Sequence, residues 1–129
     1  MKLGYTILYV SDVAATLLFY ERAFGLERGF VHPAGDYAEL ATGATTLALA
    51  ADELAASNFE ASYRRATSQG EPAAFELAFV TDEVVQAYER ALAAGAHSLA
   101  APVTKPWGQT VAYVRDLNGV IVELCTPVG

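Results

Sequence analysis

The chain of 129 residues has one cysteine, Cys125, one tryptophan, Trp107, and one methionine. A lone cysteine excludes an intramolecular disulfide and cannot by itself build a thiolate metal site, so nothing asks for an oxidising compartment. Cys125 reads as a small apolar strand residue. Positive charge is scarce as well: 8 Lys and Arg stand against 15 Asp and Glu, a net charge of −7 with neutral histidines. Arg64-Arg65 is the only adjacent basic pair, so the footprint required by a phosphate backbone is missing and nucleic acid is not an expected partner. Long apolar runs are also lacking. The opening MKLGYTILYVSD has one early lysine and is broken by Ser11 and Asp12, unlike a signal peptide or a membrane span. The expected location is cytoplasmic, with no membrane partner.

What is present is a chain 53% hydrophobic, enough at this length for one domain with a core of its own. Residues 3–10 are apolar and β-prone, and then SDVAATLLFYERAFG changes period, with Val13, Leu17, Tyr20 and Phe24 on one helical face. Ser11 or Asp12 caps that helix and Gly25 closes it. LERGFVH, DYAELAT and TTLALAA follow as strands between turn-forming PAG and TGA. The order then returns: FELAFVT is a strand, TDEVVQAYERALAAG a helix, and HSLAAPV, GQTVAYVRD and GVIVELC are strands. V-[ST]-D recurs at both strand-to-helix corners and YERA inside both helices. Recurrence of the strand order, corner and closing glycine together identifies an internal duplication. The first module covers about residues 1–51, a polar linker about 52–72 with a short helix around Phe59 to Ala66, and the second module about 73–129.

Within GVIVELC a single glutamate, Glu123, sits among apolar residues. An ionised carboxylate is costly to bury unless it reaches water, a positive charge or a metal, or holds a proton. The paired βαβββ pattern, the V-S-D corner, FYERAFGLE and above all PWGQTVAYVRDLNGVIVEL resemble the vicinal oxygen chelate superfamily, which includes glyoxalase I, fosfomycin-resistance enzymes, extradiol dioxygenases and bleomycin-resistance proteins. The resemblance spans essentially the whole chain. It implies an α+β fold in which two βαβββ modules form a U-shaped, partly open barrel-like sheet with helices on the convex side, functional residues lining the concave cleft, and a homodimer.

Metal-using members of that family place a ligand on each first strand and each last strand. Carried over by position, those sites fall on Tyr5, Glu76, Ala48 and Glu123. Ala48 has no donor atom and the phenol of Tyr5 is a poor ligand near neutral pH. His32 and His97 lie at strand ends outside these positions and read as surface or turn-satisfied imidazoles. No metal and no other cofactor is therefore expected, although Glu76 and Glu123 leave a weakly held divalent ion open. Glu76 has two open readings, a solvent-facing strand residue or a cleft carboxylate. If both carboxylates share the cleft, repulsion raises the apparent pKa of the pair. Tyr5, Tyr9, Tyr113 and Trp107 read as aromatic lining, whereas Tyr20 and Tyr88 read as packing residues on the helices. Tyr113 stands two residues before Arg115 in YVRDLNG, where the extradiol resemblance places a catalytic-wall tyrosine. These residues imply a metal-independent protein that binds an aromatic or drug-like small molecule through Tyr5, Tyr9, Trp107, Tyr113, Glu76 and Glu123, as in the bleomycin-resistance branch. The competing reading is a lyase, isomerase or dioxygenase-like enzyme with Glu123, Glu76 and Tyr113 as catalytic groups. A structural or regulatory dimer is the third.

Overall fold

The computed structural model describes residues 1–128; Gly129, the last residue assigned above to the second module, lies outside them. The chain forms two compact units, the first of Met1–Glu21 and Gly25–Arg65, the second of Arg22–Phe24 and residues 66–128. The first holds β1 (Tyr5–Val10), most of α1 (Val13–Phe24), β2 (Glu27–Val31), β3 (Tyr37–Ala41), β4 (Thr46–Ala51) and a short α2 (Asp52–Ala56). Its strands pair in the order β1-β4-β3-β2, with β1 parallel to β4 and the other pairs antiparallel. The second unit holds β5 (Glu76–Val80), α3 (Val84–Ala93), β6 (His97–Thr104), β7 (Thr110–Arg115) and β8 (Ile121–Cys125). Its order, β5-β8-β7-β6, with β5 parallel to β8, repeats the first. The fold is α+β, two open four-stranded mixed sheets with three helices, and the βαβββ duplication read from sequence is present.

Local chemistry sets these elements. The Asp12 side chain accepts from the Ala15 amide at 3.0 Å, filling one of the orphan donors of the first helical turn. Gly25 closes α1 at φ 67°, a left-handed conformation that costs glycine no Cβ clash. Val13, Leu17 and Tyr20 are buried along α1 as the 3.6-residue period predicts, together with Ala23, whereas Phe24, expected on the same face, is half-buried. In the second unit Phe24 packs against Phe79 with ring centroids 5.1 Å apart.

Each sheet has one sealed face. Leu8, Val10, Leu47, Leu49, Ala38 and Leu40 are buried in the first. Val122 and Leu124 of β8, with Ala112 and Val114 of β7, are buried in the second, and α3 packs on β6, β7 and β8. Because strand side chains alternate, the opposite faces receive Tyr5, Ile7 and Tyr9 in one unit and Ile121, Glu123 and Cys125 in the other.

The linker differs from expectation. Its helix is α2 at Asp52–Ala56, whereas residues 59–66 are irregular. Asp52 and Glu53 supply the acidic first turn that a helix N-terminus favours. Beyond it Phe59 and Tyr63 dock on Tyr9, with ring centroids 6.4 and 5.2 Å away. The Tyr63 hydroxyl donates to the buried Asp52 carboxylate, whose other oxygen lies 3.4 Å from Arg65 Nη1. Side-chain docking thus overrides the segment's local helical propensity.

Candidate functional site

Glu123 is half-buried on β8. Register places Ala78 opposite it on β5 and Tyr113 opposite it on β7. Glu76 lies two residues before Ala78, on the same face of the same strand, so the pleat brings both carboxylates and the phenol together on one sheet face. The electrostatics agree. Glu76 is raised above the ordinary glutamate range, first by desolvation and next by the charge of Glu123. Burial, then the charges of Glu123 and Glu76, raise Tyr113, so its phenol stays protonated near neutral pH. Cys125, two residues along β8, is raised by burial and then by Glu123; its thiol faces the Phe79 carbonyl at 3.8 Å.

Among the described residues no ion pair joins Glu76 or Glu123 to a basic side chain. Arg115 occupies the same face, two residues beyond Tyr113 and opposite Ile121, but its guanidinium is committed elsewhere. Nε donates to the Gly119 carbonyl at 2.9 Å, Nη1 to Gly70 at 3.0 Å and Nη2 to Thr67 at 3.3 Å. The ion pairs Arg28–Glu21 and Arg65–Asp52, and the contact between His32 and Asp36, involve neither carboxylate.

In the first unit Ile7 and Glu39 are the partners of Ala48. Ala48 is therefore the counterpart of Glu123, whose partners are Ala78 and Tyr113, and Tyr5 the counterpart of Glu76. This equivalence is the one inferred from sequence. The open face of this sheet carries Tyr5, 56% exposed, Ile7, 44% exposed, and half-buried Tyr9, Tyr37 and Glu39. Tyr37 donates to Glu39 Oε2 at 2.8 Å, and burial, followed by that hydrogen bond and charge, pushes the phenol up to about 12. Sequence reasoning passed over this pair. The alternation in DYAELAT places Tyr37 and Glu39 on one strand face, but Glu39 lacks the apolar run that singled out Glu123.

Trp107 lies apart from the carboxylates along the chain, in the turn between β6 and β7. It is 66% exposed, and its indole N–H donates to Gln109 Oε1 at 2.9 Å. Tyr20 is fully buried, and the Tyr88 hydroxyl lies 2.7 Å from Ser98 Oγ. His32 accepts the Ala34 amide within its own turn at 3.1 Å, while His97 is exposed at the start of β6.

These side chains do not form a four-ligand metal set. Ala48 carries no donor, Tyr5 offers a phenol, and among the described residues no three His, Cys, Asp or Glu side chains are grouped to hold an ion. What the arrangement offers is two anionic patches beside aromatic rings. Among the described residues no helix is long and apolar enough to cross a membrane.

Among solved structures the chain is similar to a glyoxalase-related enzyme from Fulvimarina pelagi, with 24% identity over 98% of this chain and 88% of that one and a TM-score of 0.84. It is similar to TioX from Micromonospora sp. ML1, with 22% identity, 98% of each chain covered and a TM-score of 0.72. Lactoylglutathione lyase from Agrobacterium tumefaciens shares 27% identity over 97% of this chain and 92% of that one, at a TM-score of 0.69. Comparison with curated proteins gives no sequence match. The sequence model of one family fits residues 2–124, and with the duplicated βαβββ topology this assigns the chain to the glyoxalase/bleomycin resistance protein/dioxygenase superfamily.

Proposed function

We propose that the protein binds a small aromatic, cation-bearing molecule without the help of a metal ion, using Glu123, Glu76 and Tyr113 as the polar anchor. The observation that carries this reading is the uncompensated pair: two carboxylates share a face while the one arginine on that face, Arg115, is spent on three backbone carbonyls. A cationic ligand supplies the missing charge, and aromatic side chains stack planar rings. The acidic balance of the chain, −7, favours the approach of such a ligand. Trp107, in the same unit, is the proposed aromatic contact.

Calorimetric titration of the wild type, Glu123→Gln and Trp107→Ala with 9-aminoacridinium and with a neutral tricyclic ring of equal size tests this. The cation should bind more tightly, lose roughly tenfold in affinity in Glu123→Gln, and weaken as salt rises, the loss expected for one charge-assisted contact. Equal binding of the neutral ring, or no binding of either, would overturn it.

A second reading has its own support. A raised Glu76 beside Glu123 is a pairing suited to acid-base work, and one similar structure is a lactoylglutathione lyase. Turnover of oxoacids or thiol adducts that stops in Glu76→Gln would establish a lyase or isomerase instead. A cytoplasmic homodimer completes the proposal, because the exposed apolar residues Phe30, Leu99 and Val103 lie on the edge strands β2 and β6 and call for cover. Sedimentation as a monomer at micromolar concentration would remove that part.

A further inference from the structure

Residues 57–71, which carry the chain out of α2, are exposed except for Tyr63. Among the described residues, positions 59–72 take part in no backbone-to-backbone hydrogen bond. Such backbone belongs to the low-stability end of a structure and can open without global unfolding. The part of it that belongs to the first unit, which ends at Arg65, is held instead by side chains.

Three rings and one carboxylate make that attachment. Phe59 and Tyr63 lie 6.1 Å apart by ring centroid, and both pack on Tyr9, whose side chain leaves β1 on the face opposite buried Leu8 and Val10. The Tyr63 hydroxyl donates to Oδ1 of Asp52, a carboxylate 3% exposed at the start of α2. That hydrogen bond and then desolvation raise the Tyr63 phenol, which keeps it a donor. Arg65 stands 3.4 Å from Oδ2 with its own side chain 61% exposed, so solvent screens it and Tyr63 supplies most of the polar hold. A buried carboxylate is costly without donors, and this one takes its side-chain donors from the segment with no backbone bonds of its own. Undocking therefore gives Asp52 to water and uncovers the rings on Tyr9 in the same event.

We infer that residues 57–65 form a strap, latched to the first unit through Tyr63 and Asp52, that opens as a unit while the sheets stay folded and so switches the ring of Tyr9 between a covered and an uncovered state. Anything that contacts Tyr9 must then select the open state, and its apparent affinity carries the open fraction as a factor. The device lies in the chain's own packing and does not depend on the ligand reading above.

Trypsin cuts after Arg64 and Arg65 only when the flanking chain is free to enter its cleft, so the rate of these cuts, read by mass spectrometry in urea below the unfolding transition, reports the opening. In the wild type the rate should change little with urea, since opening the strap exposes far less surface than unfolding does. In Tyr63→Phe it should be about tenfold higher or more at each urea concentration, as loss of a hydrogen bond to a charged group implies. The NMR ring signals of Tyr9 should move in that variant while the amide signals of β3 and β4 keep their positions. A cutting rate that climbs with the slope of the global urea melt would mean that the strap leaves only when the protein unfolds. Equal rates in wild type and Tyr63→Phe would mean that the latch holds nothing, and wild-type cutting as fast as that of a free peptide of residues 57–71 would mean that the strap is never closed. Each of these three results overturns the inference.

Discussion

Glu76 and Glu123 give the molecule a pH dependence whose sign follows from their placement. Desolvation and the charge of Glu123 raise Glu76 above its ordinary value of 4.5, so between that pH and the folded-state value the native protein holds more of this proton than the unfolded chain does. Stability must then fall as pH rises through the window. Glu76 is exposed on β5, and solvent screens part of the effect. In Glu76→Gln the decline from this source should vanish, so the variant gains on the wild type as pH climbs from about 4.5 toward neutrality. Glu123→Leu should flatten the same curve by removing the repelling charge, and should leave the fold intact or firmer, since leucine has no desolvation cost. Urea melts of the three proteins at several pH values measure both effects. A large loss of stability in Glu123→Leu would mean that Glu123 is a structural partner and would remove the anchor from the proposed site.

The turn joining β7 to β8 shows how an element is held by contacts that no local pattern announces. Asp116 is 1% exposed and its Oδ1 accepts the amides of Asn118 at 2.8 Å and Val120 at 2.9 Å, an arrangement in which a short acidic side chain replaces a backbone turn. Gly119 sits at φ 84°, and a Cβ there would overlap the Thr67 carbonyl and the Arg115 guanidinium. The Arg115 clamp and the linker thus fit only around a glycine. Gly119→Ala should destabilise by more than the roughly 1–2 kcal/mol of a left-handed non-glycine residue, because linker backbone must also move. Arg115→Ala should cost about 1–3 kcal/mol, with carbonyl acceptors left to water or unpaired, and should make the segment around Thr67 and Gly70 the first to be cut by protease. Equal cutting rates in wild type and Arg115→Ala would show that the linker does not depend on the clamp. The same clamp withholds positive charge from Glu123, so this element and the proposed ligand site are linked through one side chain.

For the whole molecule, the duplicated topology was legible in the sequence because period changes, V-[ST]-D corners and closing glycines are local signals. The equivalence of Tyr5 with Glu76 and of Ala48 with Glu123 was legible because strand alternation fixes which face a residue takes. Three features were not. The linker's course depends on Asp52, Tyr63 and Tyr9 meeting across the first unit. The role of Arg115 depends on Thr67 and Gly70, 48 and 45 residues earlier. Glu39 was hidden because one glutamate in an alternating strand resembles any solvent-facing residue until its hydrogen bond from Tyr37 is seen. The last of these bears on metal chemistry. Relative to the second unit, the carboxylate has moved from the last strand of the module to the neighbouring β3, since Glu39 pairs with Ala48 while Tyr113 pairs with Glu123. The family's last-strand position is thereby left without a donor in one unit, and Tyr5 supplies only a phenol on the first strand. Protein purified gently without chelator should therefore carry well under one equivalent of nickel, zinc, iron or manganese per chain by elemental analysis. Adding any of these ions should raise the melting temperature little, because a site that binds only the folded state stabilises in proportion to its affinity. A full equivalent of one metal, lost in Glu123→Ala, would show that two carboxylates recruit the remaining ligands from water or from a second chain, and would shift the balance from binding protein to enzyme.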